Sequence, residues 1–362
     1  MSDAASVARL RLIRTPGVGP VTYRQLLARF GTAEAAIEAL PMLARRGGGQ
    51  PPKIAGERAV LDEMASVARL GAAHWFLGDG DYPPLLAELE NAPAVVTVRG
   101  NRALGAGSVV AIVGARNASA AACRFARGLA SELGDAGVTI VSGLARGIDT
   151  QAHVASLATG TIGVIASGID IAFPPENADL QEAVATRGLL IAEQPPGGEP
   201  RARQFPYRNR IIAGLALGTV VVEAAPKSGS LITARLAAEA GREVMAVPGS
   251  PLDPRAQGCN LLIREGATLV QTAEDILEMI RPIDARAVRS PIPSFEGPPP
   301  EDATDADRCR IADLLGPVPV GVDELIRQSH LSPASVQTVL LELELAGRLE
   351  RHAGGRVSIY RA

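Results

Sequence analysis

Short apolar runs separated by helical patterns constrain the fold of this chain more than any other feature of its sequence. Each run is rich in β-branched residues, lacks polar alternation, and is followed by Gly or Pro and then by a helical pattern. The six runs are residues 109–113, 138–141, 161–166, 189–192, 219–223 and 243–247. Strands of this kind are buried on both faces, and the helices between them cover both sides of a parallel sheet. The sequence therefore predicts a doubly wound α/β domain.

The same patterns divide the chain into four parts. Residues 1–76 alternate helical patterns with short breaks and predict a helical module. Residues 77–284 contain the α/β domain, and residues 285–303, which are rich in Pro and lack periodicity, predict an extended linker. Residues 304–362 predict three helices followed by a hairpin, which is the order of a winged helix.

The helical module contains the turn Pro-Gly-Val-Gly-Pro at residues 16–20. This turn resembles the hairpin of helix-hairpin-helix DNA-binding units, in which glycine N–H groups approach a phosphate. A Gly-Pro turn between two helices is also common without any role in DNA binding. Both interpretations of the turn stay open.

Composition limits the classes of function. The net charge is −3 and 21% of the residues are charged, so a nucleic-acid site must be a local patch. Cys123, Cys259 and Cys309 are odd in number and have no CxxC spacing, which argues against a disulfide framework and a zinc site. The N-terminus lacks a signal-peptide core, and the longest apolar run, residues 211–225, is too short to span a bilayer. We therefore expect a cytoplasmic protein with no membrane segment, metal or other cofactor.

The first candidate binding turn follows the run at residues 109–113. Gly114 permits close approach of the backbone, Ser119 can cap the next helix, and Arg116 presents a guanidinium to any anion held there. The dinucleotide fingerprint GxGxxG is absent, so NAD binding is not expected. A solvated Arg116 without a ligand is the alternative interpretation.

The second candidate turn repeats this arrangement after the run at residues 138–141. Ser142, Gly143 and Arg146 are candidate contacts for an anion at the end of this strand. Asp149 is predicted to be a structural cap rather than a catalyst. His153 lies one helical turn beyond Asp149, so the two side chains could form a hydrogen bond.

Two further segments carry aromatic residues, and in the second of them the aromatic residues are interleaved with arginines. The first is a long loop of turn-forming residues that carries Phe173, and the second is residues 201–210. The candidate DNA contacts of the second segment are Phe205, Arg208, Asn209 and Arg210. Aromatic rings stack on unpaired bases for about 1–3 kcal/mol each, so this mixture suits single-stranded nucleic acid better than a small phosphate. Core packing of Phe205 is the alternative.

A Lys-Ser-Gly-Ser turn joins the run at residues 219–223 to a helix. It supplies a point charge, two hydroxyls and a free backbone N–H from the candidate contacts Lys227, Ser228, Gly229 and Ser230. The pattern GxxxxGK[ST] is lacking, so ATP hydrolysis is not implied. A phosphate cradle is the favoured interpretation, and a plain loop with a solvated lysine is the alternative.

These motifs together resemble the DNA processing protein A family, also called DprA or Smf. The matching strings are VGARNAS, SGLARGIDTQAH, GIDIAFPPEN, FPYRNRIIAGLALGTVVVEA, KSGSLITA, GREVMAVPG and GCNLLIREGA. The resemblance covers nearly all of residues 80–282. It implies an extended Rossmann-like fold that binds single-stranded DNA, protects incoming DNA, helps to load the recombinase RecA during natural transformation, and dimerises through the α/β domain.

The same resemblance implies a DNA pocket built from a Gly-Ser-Arg turn. By position this turn falls on Gly114, Ala115 and Arg116. The middle residue departs from the pattern, so this chain lacks the serine hydroxyl at that position. The N-terminal module is similar to the sterile-alpha-motif-like domain that some members of the family carry.

The predicted winged helix lacks the charge of a duplex reader. Its candidate recognition helix, residues 335–346, carries Glu342 and Glu344 and no basic residue, whereas phosphate neutralisation requires Lys or Arg. Three arginines of the hairpin could still contact DNA: Arg348, Arg351 and Arg356. A protein-contact or structural role is favoured over duplex reading.

Two other functions stay open beside the single-stranded DNA mediator. Nucleotide phosphoribohydrolases of the lysine-decarboxylase-like family share a similar sheet and have glutamates after a Gly-Thr turn. Here Ile232 and Thr233 follow the corresponding turn, so the required acids are missing. The third function is a transcription regulator that uses the winged helix on duplex DNA. We expect no catalytic residue, because the motifs contain no nucleophile with a base, no paired carboxylates and no metal cluster.

Overall fold

The computed structural model describes residues 3–281, 302–352 and 354–359. These residues form two compact units. The larger unit begins at Asp62 and contains the α/β domain, and the smaller unit combines the chain up to Leu61 with the described C-terminal residues. The helical module and the winged helix, which the sequence presents as separate domains, therefore belong to one unit. None of the described helices is long and apolar enough to cross a membrane.

Helices and strands follow one another along the chain in three groups. The N-terminal group is α1 (Asp3–Arg14), α2 (Pro20–Phe30), α3 (Ala33–Arg46) and α4 (Glu57–Arg69). The α/β group is β1 (Ala73–Phe76), α5 (Pro84–Ala87), β2 (Val95–Gly100), β3 (Val109–Val113), α6 (Ala120–Asp135), β4 (Thr139–Ser142), α7 (Ile148–Ser156), β5 (Thr161–Gly168), α8 (Ala178–Arg187), β6 (Leu189–Gln194), α9 (Gln204–Leu215), β7 (Gly218–Val221), α10 (Gly229–Glu239), β8 (Glu243–Ala246), α11 (Gln257–Arg264), β9 (Thr268–Leu269) and α12 (Ala273–Ile280). The C-terminal group is α13 (Asp305–Leu314), β10 (Val320–Gly321), α14 (Val322–Ser329), α15 (Pro333–Leu345), β11 (Leu349–His352) and β12 (Arg356–Ile359).

A nine-stranded sheet forms the centre of the larger unit, in the order β1-β2-β6-β5-β4-β3-β7-β8-β9. All neighbouring strands among β3 to β9 pair in parallel. In contrast, β2 pairs antiparallel with β6, and β1 pairs antiparallel with β2. From β3 the chain winds outward to β6 on one side and then, from β7, outward to β9 on the other. The strand order therefore reverses between β3 and β7, and in open α/β sheets ligands bind outside the carboxyl ends of the strands at such a reversal.

Side chains of the central strands are buried on both faces of the sheet. Val109, Ala111 and Val113 of β3 belong to one apolar cluster with residues of α9 and α10. Val110 and Ile112 point to the opposite face, where they belong to a cluster with residues of α6, α7 and α12. This arrangement confirms the doubly wound sheet, and all six predicted strands are present within one or two residues of their predicted bounds.

The sequence does not predict three strands of the sheet. β2 is apolar like the others, but no helical pattern follows it, so the pattern used for the parallel strands does not detect it. β1 and β9 are shorter than β2, and they lie at the two edges of the sheet. Because β1 pairs with β2, the α/β domain begins before residue 77, the boundary predicted from the sequence.

The C-terminal part of the smaller unit has the predicted winged-helix order. α13, α14 and α15 precede the β11–β12 hairpin, and β10 adds a third strand beside β12. The predicted linker, residues 285–303, lies outside the described residues except for its last two. The winged-helix prediction is confirmed.

α15, the candidate recognition helix, is buried on two sides. One side packs into the core of the winged helix through Val336, Val339, Leu340 and Leu343. The other side packs against α2 and α3 of the N-terminal group. Four buried residues of α15 lie outside the winged-helix core: Thr338, Leu341, Glu342 and Leu345. Apolar residues on both sides of a helix indicate two packing partners.

Hydrogen bonds also join α15 to α2. Gln25 Nε2 donates to Gln337 Oε1 at 2.9 Å, and Arg29 Nη1 donates to Thr338 Oγ1 at 2.9 Å. The surface with which a winged helix would enter a DNA groove is therefore in contact with protein.

Replacing Leu341 by Ala should lower the free energy of unfolding of the smaller unit by about 2–4 kcal/mol, because the side chain is only 2% exposed between α15 and its partners. The control is Val318→Ala in the same unit, where the side chain is 76% exposed and the expected change is below about 0.5 kcal/mol. Chemical denaturation of the full chain measures both. Equal effects of the two substitutions would contradict the burial of Leu341.

Candidate nucleic-acid interface

Five chain segments meet at the carboxyl edge of the parallel strands. They follow β3, β4, β5, β6 and β7, and together with the last residue of β4 they carry the candidate DNA contacts of the α/β domain. Hydrogen bonds join neighbouring segments: Ile148 N donates to Ala115 O at 3.3 Å, Asn177 Nδ2 to Leu144 O at 2.9 Å, Gly197 N to Asp170 Oδ1 at 2.8 Å, and Asn209 Nδ2 to Gly229 O at 3.3 Å. The candidate residues therefore form one surface rather than separate sites.

The first two turns approach each other so closely that glycine is required. A Cβ atom at Gly114 would lie 2.6 Å from Ile148 Cγ1. Gly147 has a φ of +77° and its Cβ would overlap Ala115 O. Both glycines therefore allow contact between the turns.

An exposed row of one guanidinium and two aromatic rings crosses this surface. The Arg116 guanidinium lies 5.6 Å from the centroid of the Phe205 ring, within the distance of a cation–π contact. The Phe205 and Phe173 rings are tilted with centroids 5.7 Å apart. Arg116 and Phe173 are exposed and Phe205 is half-buried between them. We refer to these three residues as the aromatic row.

Tyr207 is a further exposed aromatic residue that the sequence analysis does not include among the candidate contacts. Its side chain is 61% exposed on the first turns of α9, near the Arg210 guanidinium at 6.0 Å. The available signal is its place between Phe205 and the following arginines. A large aromatic side chain left in solvent on this helix is a further candidate for stacking on a base.

Glu223, a residue absent from the predicted site, occupies the N-terminus of α6. Ser119 caps this helix by accepting from Ala122 N at 3.1 Å, as predicted. Ser119 N and Ser119 Oγ then donate to the two carboxylate oxygens of Glu223 at 3.0 and 2.7 Å. Both donors of Ser119 are therefore used within the protein, and its contact with DNA stays a prediction.

The second turn is likewise satisfied by a carboxylate of the chain. Asp149 Oδ2 accepts from Gly143 N at 3.1 Å and from Ala145 N at 3.3 Å. Ser142 is fully buried and donates to Ile112 O at 2.6 Å. Ser142 and the Gly143 N–H therefore hold the turn in place, and their contact with an anion stays a prediction.

Arg208 lies inside the domain rather than on its surface. The residue is 7% exposed, its Nη1 donates to Val164 O at 3.2 Å, and a Cβ at Gly143 would overlap the guanidinium. Burial lowers the pKa of Arg208 to about 10, and Asp149 opposes that shift. Burial raises the pKa of Asp149, and the Arg208 charge opposes it. Each group therefore stabilises the charge of the other.

Arg210 is buried as well. It is 4% exposed, and its Nη2 lies 2.6 Å from Glu193 Oε1. The segment at residues 201–210 is predicted to carry candidate DNA contacts, and from Gln204 onward it is α9, which packs on the sheet. The guanidinium groups of Arg208 and Arg210 are therefore enclosed by the domain, and their contact with DNA stays a prediction.

His153 does not bond to Asp149, in contrast to the expectation from their spacing. Its Nε2 accepts from Leu144 N at 3.3 Å, so Nδ1 carries the proton and donates to Thr161 Oγ1 at 2.8 Å. A proton on Nε2 would point at the Leu144 N–H, so the positively charged imidazolium is disfavoured. Burial, together with the Arg208 charge, lowers the pKa of His153 to about 3.

Exposed cations lie beside these satisfied turns. Arg146 is 56% exposed and only 3.7 Å from the exposed Glu176 carboxylate, a weak surface pair. Lys227 is exposed in the turn after β7. Together with Arg116 they provide positive side chains on this surface, where some backbone N–H groups already donate to carboxylates of the chain.

The Lys-Ser-Gly-Ser turn is more open than the first two turns. Ser228 caps α10 by accepting from Ser230 N at 3.4 Å, and the two hydroxyls lie 2.7 Å apart. Gly229 is exposed, whereas Ser230 is buried. The Ser230 hydroxyl therefore makes a contact within the turn, and its contact with DNA stays a prediction.

Arg348 and Arg351 of the winged-helix hairpin form hydrogen bonds within the protein. Arg348 Nη1 donates to Gly47 O at 3.2 Å, and Arg351 Nε donates to Glu344 Oε2 at 2.9 Å. Arg356 is exposed at the start of β12. The favoured interpretation of the winged helix as a protein-contact or structural domain agrees with these bonds.

Three family models match this chain in the order of its parts. The model for DNA recombination-mediator protein A matches residues 73–281. The model for the DprA-like N-terminal HHH domain matches residues 3–66, and the model for the DprA winged helix domain matches residues 296–355.

Relatives and solved structures agree with these models. Protein Smf of Synechocystis sp. is 32% identical over 397 residues, which cover 98% of this chain and 99% of that protein. A crystal structure of DNA processing protein A from Streptococcus pneumoniae is 32% identical with a TM-score of 0.61, covering 76% of this chain and 96% of that one. A structure of the Helicobacter pylori protein, concerned with its single-stranded DNA binding mode, is 27% identical with a TM-score of 0.53, covering 57% and 95%.

Replacing Gly143 by Ala should destabilise the larger unit by about 1–3 kcal/mol, because the added Cβ displaces an Arg208 guanidinium that is bonded to Val164 O and faces Asp149. Gly107→Ala is the matched control, since its Cβ would meet open space. Urea denaturation compares the two variants. A Gly143→Ala protein as stable as the control would contradict the placement of Arg208.

Stability should fall with acid through His153. The unfolded imidazole takes up a proton near pH 6.5 and the folded one only near pH 3, so the unfolded chain binds more protons between these values. The free energy of unfolding should therefore drop by about 2 kcal/mol more between pH 7 and pH 5 in the parent than in His153→Gln. Urea denaturation at both pH values measures this difference, and parallel pH profiles would refute it.

Proposed function

The chain belongs to the DNA recombination-mediator protein A family, and from that premise we propose that it is a non-enzymatic mediator that binds single-stranded DNA. The family assignment supports a role in DNA processing and recombination. The Helicobacter pylori relative, for which a single-stranded DNA binding mode is described, supports the choice of ligand. The aromatic row is the observation that carries the proposal for this chain.

The aromatic row suits unpaired bases rather than a duplex. Bases in a duplex stack on one another, so their faces are not accessible to protein rings, whereas every base of a single strand offers a π-face. Arg116 adds a cation beside the Phe205 ring, and Phe173 is 42% exposed. The exposed side chains of Arg146 and Lys227 lie on the same edge and would attract the phosphates.

The proposed absence of catalysis rests on how the polar groups of this edge are bonded. Asp149 accepts from two backbone N–H groups, and Glu223 accepts from Ser119. His153 is neutral and bonded through both ring nitrogens. Groups committed to such bonds are not positioned to attack or protonate a substrate.

We extend the proposal to the partners that the family resemblance implies. The chain would protect incoming single strands and help to load RecA on them during natural transformation, as a cytoplasmic homodimer formed through the α/β domain. Membership of a recombination-mediator family supports this role in recombination. Co-purification of RecA with DNA-bound protein tests it.

The two alternatives receive less support from the structure. A phosphoribohydrolase needs a free acid at the site, and the Glu223 carboxylate is held by Ser119. A transcription regulator needs a recognition helix that is open to DNA, and α15 is in contact with α2 and α3. Release of ribose phosphate from a nucleoside monophosphate, or sequence-specific duplex binding, would bring them back.

Replacing Phe205 by Ala should weaken binding of a labelled oligothymidylate by about 1–3 kcal/mol, or about 5- to 150-fold, through loss of stacking. Arg116→Ala should weaken it too and reduce the slope of log affinity against log salt by about 0.7 if the guanidinium also neutralises a phosphate. Fluorescence anisotropy across a salt titration measures both effects, with a matched duplex that should bind less tightly.

Arg187→Ala is the control for these variants. Arg187 is exposed at the end of α8, just before β6 begins, and so lies at the opposite edge of the sheet. The Arg187→Ala substitution removes one exposed arginine from the same unit and should leave the affinity for oligothymidylate nearly unchanged. Equal losses in all three variants would point to non-specific attraction, and equal affinity for duplex would refute the single-strand proposal.

A further inference from the structure

The crevice between β3 and β7 is the place where an open α/β sheet offers a phosphate its best site. The strand order reverses there, and α6 begins at Ala120, directly after the turn that follows β3. The N–H groups and the dipole of a helix N-terminus favour an anion at this position. In this chain the position is filled by the Glu223 side chain, which comes from the end of β7.

Glu223 closes the crevice with a carboxylate. The residue is 8% exposed, and its two oxygens accept from Ser119 N at 3.0 Å and Ser119 Oγ at 2.7 Å. A carboxylate presents two anionic acceptor oxygens, as a phosphate does, so it satisfies the same donors. The Ser119 hydroxyl donates its single hydrogen to Glu223 and accepts from Ala122 N, so it has no hydrogen left for a ligand.

We propose that Glu223 is a specificity-determining residue: its carboxylate occupies the anion position of α6 and thereby makes the crevice reject a compact phosphate ligand such as a free nucleotide. This inference deepens the proposed function and rests on it, since it specifies which phosphate compounds the surface refuses. DNA then binds by stacking on the aromatic row and by separate contacts of its phosphates with exposed cations.

Charge is the physical reason for the rejection. A phosphate at the α6 N-terminus would lie within a few ångströms of a largely buried carboxylate, and like charges at such a separation repel strongly where water is excluded. The cation of the same turn does not offset this charge at the helix N-terminus, because the Arg116 guanidinium lies over the Phe205 ring. Arg116 is thereby available to the bases of a single strand.

The neighbouring turn uses the same arrangement. Asp149 accepts from Gly143 N and Ala145 N, the backbone donors that a phosphate would use after β4. Only the turn after β7, with Lys227 and Gly229 exposed, keeps a helix N-terminus accessible among the three described turns that follow β3, β4 and β7. One open turn provides one phosphate contact, which suits a polymer that gains the rest of its affinity elsewhere.

The first test uses the parent protein. Inorganic phosphate and AMP are titrated into the full chain by calorimetry at fixed ionic strength, with chloride as the reference. The expected result is no binding in the millimolar range. Measurable binding of either compound at the level of ordinary nucleotide sites would overturn the inference, and this outcome is independent of whether the chain binds DNA.

The second test removes the charge and keeps the shape. Glu223→Gln retains an oxygen that can accept from Ser119, and the expected result is at least tenfold tighter binding of AMP or phosphate than in the parent. Glu199→Gln is the matched control, because it removes the same charge from an exposed position in the segment after β6. A folded Glu223→Gln protein that binds no better than this control would refute the proposal.

Two readouts keep the outcomes distinct. Thermal unfolding establishes whether Glu223→Gln folds, and if it does not, the parent titration alone decides the inference. Oligothymidylate anisotropy on the parent decides the proposed function separately. A parent that binds neither DNA nor AMP contradicts the function while agreeing with the rejection of nucleotides.

Discussion

Two carboxylates hold the carboxyl edge of the sheet together, and the rest of the binding surface depends on them. Glu223 joins the end of β7 to the start of α6, and Asp149 joins the start of α7 to the turn after β4. Backbone N–H groups buried at helix starts need acceptors, and here the chain supplies them itself. The turns are therefore fixed before any ligand arrives, so the side chains above them are already oriented.

Buried charges of this kind require opposite charges inside the domain, which explains why α9 carries arginines on its inner side. Arg208 faces Asp149, and Arg210 bonds Glu193. Removal of one partner would leave an uncompensated buried charge, which costs more than the pair contributes. The same helix displays Phe205 and Tyr207 outward. One helix thus anchors the turns and presents the rings, so a change in the anchor is transmitted to the stacking surface.

Sequence patterns predict the sheet and its helix caps because these depend on neighbours along the chain. The run at residues 109–113 and the Ser119 cap are examples. The exposure of Arg208 could not be predicted in this way, because its partner Asp149 lies 59 positions earlier and the two meet only when the sheet forms. Glu223 escaped prediction for the same reason, since it bonds a residue 104 positions away. Local charge and aromatic content therefore identify the edge that binds, while the tertiary fold decides which side chains face solvent.

In the smaller unit, the second face of α15 distinguishes this winged helix from one that reads duplex DNA. A duplex-reading helix has one apolar stripe and one polar, basic face. In α15 the second face contains Leu341 and Leu345, both buried, beside Glu342, whose carboxylate is bonded by Arg308. Such a face gains its free energy by packing against protein, and it offers no cation to the DNA backbone. The winged helix of this chain is therefore built to bind the N-terminal helices through the surface that its fold would otherwise offer to DNA.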